Sequence, residues 1–213
     1  MLAVFEKSIS KTPIELSLPG VRTGRFNRSP EEIAELFGSW KSDSTFYHVS
    51  NCNFLALSHI DEYYPRSIVV MDDIYCIFSG ALDNSSELRQ LYGLSKKAAE
   101  ATIIVEAYKM LCDRAPYPPG QVIADLQGSF AFILFDRRDS VLFLASDRDA
   151  HVRLYWGTAT DGSLVCADDQ NVISTCCGNA YTTFPRGKPQ APWLYSSLFQ
   201  PYSSENILRG FID

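Results

Sequence analysis

The sequence predicts an α+β protein in which two sheets carry helices on their outer sides. Three observations lead there. Phe130-Ala131-Phe132-Ile133-Leu134-Phe135 is an unbroken apolar run between Gly128-Ser129 and Asp136-Arg137-Arg138-Asp139. A strand with one wet face alternates apolar and polar residues; this run does not, so both of its faces should be covered. Strand-like segments also come in groups, with consecutive helical periods between them, which favours segregated layers over alternating βαβ units. Finally, 213 residues at 46% hydrophobic and 21% charged are enough for a substantial core and ordinary for a globular chain.

Taken in order, Leu2 to Phe5 reads as a buried strand. Residues 10–28 carry Pro13, Pro19, Gly20 and Gly24 and read as a loop. Ser29, Pro30 and Glu32 then form a capping-box start, and Ile33, Leu36, Phe37 and Trp40 fall on one helical face. From 44 to 79 the pattern turns to short β-rich runs: Thr45–Val49, Phe54–Leu57, Ile68–Met71 and Ile74–Phe78. Asp72-Asp73 joins the last two as a tight hairpin. Asn84 with Glu87 resembles a capping box, and Gly93 is placed to stop that helix in the left-handed conformation. A second helix is expected from Lys96 to Cys112, and a short third from Gln121 to Leu126. Arg137-Arg138-Asp139 turns Phe130–Phe135 back into Val141–Ala145. Arg153–Gly157 and Leu164–Ala167 flank the turn Thr160-Asp161-Gly162. Asp168 or Asp169 caps a short helix, and Tyr181–Phe184 is the last expected strand. From Gly187 onward Pro189, Pro192, Pro201 and many serines show no period, so no fixed element is expected there.

Composition closes off several functions. The net charge is −6, with no basic patch, so the chain lacks the footprint of a nucleic-acid binder. No run is long enough for a transmembrane helix. Met1-Leu2-Ala3-Val4-Phe5 meets Glu6 after a short apolar run, unlike a secretory signal. The six cysteines are therefore expected as reduced, mostly buried thiols, and Cys176-Cys177 as two thiols rather than a strained bridge. His48, His59 and His151 show no metal-ligand spacing with each other or with cysteines, so no metal or other cofactor is expected. His59 near Asp61 could be a base with its orienting carboxylate, although such a loop pair is commonplace. There is no serine elbow and no phosphate-cradling glycine loop. Residue chemistry alone leaves the site undeclared.

A resemblance adds to this. Asp125-Leu126-Gln127-Gly128-Ser129-Phe130-Ala131-Phe132 looks like the D-L-x-G-x-F-A-F segment of class II glutamine amidotransferase domains. In order along the chain, Met1–Phe5, Phe78–Asn84, Leu154-Tyr155 and Phe184-Pro185-x-Gly187 resemble further motifs of that superfamily. Within it, Tyr92-Gly93-Leu94 and Leu111-Cys112-Asp113-Arg114 resemble the YGL and LRDR motifs of plant aluminium-induced and stem-specific proteins, the second with one residue changed. The resemblance implies a four-layer αββα sandwich of two mainly antiparallel sheets, of the N-terminal-nucleophile hydrolase kind. It spans residues 1–187 as one amidotransferase-like domain and leaves 188–213 as a divergent tail. It also implies stress- or hormone-responsive expression in plants and a cytoplasmic or nuclear setting.

The parent chemistry uses a cysteine at position 2, freed by removal of Met1, with its own α-amine as the base. Here position 2 is Leu2, which has no nucleophile and whose bulk disfavours removal of Met1. By the same resemblance the oxyanion-hole Asn falls at Ser79, with its Gly kept as Gly80. The Arg that holds the substrate carboxylate falls near Ala56, and the Asp that binds its amine near Glu100. A former pocket would thus gather Leu2, Ala56, Leu57, Ser79, Gly80 and Glu100, with no catalytic residue among them. Each also has a plainer reading: Leu2 as core, Ser79-Gly80 as a strand end, Glu100 on a solvated helix face. Two functions follow: a non-catalytic domain used for binding or regulation, or a hydrolase using another nucleophile such as Cys52 or Cys76. Candidate partners are a small amino-acid-like ligand, a protein, or a second copy of the chain.

Overall fold

The computed structural model describes residues 1–10, 16, 28–50, 52–60, 63–113, 125–185 and 193–196. The chain divides into two compact units, one from Met1–Tyr63 with Arg153–Phe184 and the other from Tyr64–Val152 with Pro185–Asp213. Each unit is built on an antiparallel sheet with helices on one face.

In the first unit, β1 (Leu2–Phe5), β2 (Ser44–His48), β3 (Phe54–Ser58), β8 (Tyr155–Thr158), β9 (Leu164–Ala167) and β10 (Tyr181–Thr183) form a six-stranded sheet in the order β10-β8-β9-β1-β3-β2. The N-terminal strand β1 sits between β3 and β9, with Leu2 opposite both Ala56 and Ala167. Helix α1 (Pro30–Trp40) starts as expected: the Ser29 hydroxyl accepts from the Glu32 N–H, and Glu32 Oε2 accepts from the Ser29 N–H. Ile33 and Phe37 from α1 join Val172, Ile173, Cys176 and Cys177 from α4 (Gln170–Cys177) in one apolar cluster with Leu2, Val4, Phe54 and Ala56. Asp169, not Asp168, caps α4 by accepting from the Asn171 N–H.

In the second unit, β4 (Arg66–Met71), β5 (Ile74–Leu82), β6 (Gly128–Asp136), β7 (Val141–Ser146) and β11 (Trp193–Ser196) form a five-stranded sheet in the order β11-β7-β6-β5-β4. The opening apolar run lies in β6, at the centre of this sheet, and every residue from Phe130 to Phe135 is buried. Phe78, Phe130, Phe132, Leu134 and Phe143 share a cluster with Ile103, Ile104 and Tyr108 of α3 (Glu100–Asp113). The Tyr108 hydroxyl donates to buried Asp136 at 2.9 Å, fixing the helix to the end of β6. Asp72 and Asp73 turn β4 into β5 with φ of 51° and 66°, a primed turn that suits the twist of a hairpin.

Several expectations change. Asn84 precedes α2 (Ser85–Leu91) but makes no side-chain cap. Its amide instead donates to the Asp125 carbonyl and its Oδ1 accepts from the Gln127 N–H, tying the helix start to the segment before β6. Helix α3 begins at Glu100 rather than Lys96, because its Ala101 N–H is taken by the Ser67 hydroxyl of β4. That cap comes from a distant strand and leaves no local signal. Trp193–Ser196 pairs with β7 as an added strand, although composition signals none. The short helix expected at Gln121–Leu126 falls mostly outside the described residues, as does most of the segment after Pro185.

Candidate functional site

The residues that the amidotransferase resemblance singles out fall into two groups, one on each unit. In the first unit, Leu2 and Ala56 face each other across the β1–β3 ladder, and both belong to the helix-side cluster. Leu57, the next residue on β3, points to the opposite face, and all three are 0% exposed. Leu2 is thus core, flanked in its row by Ala56 and Ala167, whose small side chains leave room for it. Its neighbour Met1 is buried as well, and the chain's ammonium lies 2.5 Å from the Asp168 carboxylate. The Asp168 N–H donates to the Met1 carbonyl at 3.3 Å, so the start of β1 is held from two directions.

In the second unit, Ser79 and Gly80 lie inside β5, not at its end. Gly80 has φ +125°, and a Cβ there would meet the Ser129 carbonyl oxygen at 2.1 Å. Its glycine is therefore required by the close approach of β6. Phe78 and Leu82 belong to the helix-side cluster, so Ser79 faces the other way. Glu100 begins α3 on the helix side, where its carboxylate takes Arg89 of α2 at 3.1 Å. It is a paired residue rather than a solvated one, and Ser79 is on the opposite face of the sheet.

The ladder registers Ser79↔Ala131 and Ala131↔Ser146 put Ser79 and Ser146 in one row of that face. Both hydroxyls are buried, and neither finds a hydrogen-bond partner among the described residues. Beside Ser146, Asp147 is a polar hub that sequence reading missed. Its carboxylate accepts from the N–H groups of Phe130, Asp149 and His151 at 3.0–3.2 Å and meets His151 Nδ1 at 3.0 Å. This welds the 147–152 loop to the start of the β6 run. The Asp-Arg-Asp sequence after an apolar strand was the available signal. Elsewhere, His59 Nε2 lies 2.6 Å from the Thr45 hydroxyl, while Asp61 is outside the described residues.

The thiols are mostly structural. Cys76 is fully buried in the second unit's cluster, and burial pushes its thiol well above the ordinary range. Burial does the same to Cys166 and Cys177, and raises Cys176 to about 11. Thiols held neutral in this way are poor nucleophiles. Cys52 is half-buried. Among the described residues no group of three or more histidine, cysteine or acidic side chains is arranged for a metal ion, and no helix is long and apolar enough to cross a membrane.

By architecture this is an α+β protein on two antiparallel sheets, with a buried leucine at position 2. The profile of the aluminium-induced protein family matches residues 2–191, and the chain belongs to that family. Stem-specific protein TSJT1 of Nicotiana tabacum is 63% identical over 149 residues, which is 68% of this chain and 99% of the tobacco protein. Among solved structures, the chain is similar to glutamine phosphoribosylpyrophosphate amidotransferase from B. subtilis complexed with ADP and GMP. The identity is 14% and the TM-score 0.46, over 68% of this chain and 33% of that one. A structure described as the allosteric regulatory enzyme of purine biosynthesis matches at 14% identity and a TM-score of 0.39, over 60% of this chain and 28% of that one. The chain therefore spans about a third of the length of these two structures.

Proposed function

We propose that this chain is a non-catalytic amidotransferase-like domain with a binding or regulatory role in plant stress or hormone response. One observation carries the reading: position 2 is a leucine packed in the core of the first unit, at 0% exposure, where the parent chemistry needs an exposed thiolate. The remaining polar machinery has drifted in the same direction. Alanine stands at Ala56, serine replaces the oxyanion-hole amide at Ser79, and Glu100 is engaged by Arg89. Losing one oxyanion donor alone typically lowers the rate by ~10²–10³.

A ligand that binds only the folded chain raises its stability by RT ln(1 + [L]/Kd), so binding can be read without any turnover. The test is thermal unfolding of the full chain against a panel of free amino acids, glutamine included, with ammonia release followed in the same samples. Stabilisation by one or more of them, with no ammonia produced, is the expected result for a small-molecule binding role. Ammonia release from glutamine would overturn the non-catalytic reading. An unchanged melting temperature across the panel would remove the amino-acid ligand and leave a protein partner as the regulatory target.

A further inference from the structure

We draw no further inference here: the strongest candidate, the row of buried Ser79 and Ser146 hydroxyls on the second unit's sheet, belongs to the candidate site already described, and nothing in the structure shows what molecule would meet them.

Discussion

Gly80 and Gly93 both adopt a positive φ, yet they should respond very differently to alanine. Gly93 follows α2 with φ +66°; its N–H donates to Gln90 and the Leu94 N–H to Arg89, the paired bonds of a Schellman cap. A Cβ there meets nothing within 4 Å, so Gly93→Ala should cost only about 1 kcal/mol of backbone strain. Gly80→Ala must also displace the Ser129 carbonyl and the Phe130 Cα, and should cost about 2–5 kcal/mol. Denaturant unfolding of the two variants checks the order; equal losses would mean the β5–β6 approach is not as tight as described. The orphaned hydroxyls give an opposite sign. Ser146→Ala removes a buried group with no partner among the described residues and should stabilise the chain by about 1 kcal/mol, read as a higher denaturation midpoint. Gly93 was legible because its demand is local, a helix that has to stop. Gly80 was not, because its demand comes from β6, far away in sequence.

At the scale of the element, the run Phe130–Phe135 was the clearest signal in the chain, since an unbroken apolar strand has few places to go other than a sheet centre. Phe132→Ala should cost ~3–5 kcal/mol, as for buried aromatics generally. A calorimetric loss below about 1 kcal/mol would contradict the central position of β6. The Ser29–Glu32 capping box was equally legible, because every partner lies within one turn. Helix α3 was misjudged at its start because Ser67 of β4 supplies its cap. Ser67→Ala should lower stability by about 1 kcal/mol and loosen the first turn of α3, seen as faster hydrogen exchange near Ala101. The Asn84 capping box failed for the same kind of reason, its amide being taken by the segment before β6.

Across the whole molecule, the two-sheet α+β architecture followed from strand grouping. The division into units did not, since the first unit draws on Met1–Tyr63 and Arg153–Phe184, two stretches separated in sequence by Tyr64–Val152. The candidate site was legible only as a set of losses. Sequence shows that Leu2 lacks a nucleophile, while only the folded chain shows that it is packed among Ile33, Phe37 and Phe54 in one cluster. For that reason Leu2→Cys alone should not confer glutaminase activity: its side chain would enter the core. The most direct test is the rate of ammonia release from glutamine by the pure wild-type chain. The account predicts a rate indistinguishable from buffer, with Leu2→Cys no faster. Sustained release that disappears in Cys52→Ser or Cys76→Ser would contradict it and establish an amidohydrolase with a relocated nucleophile.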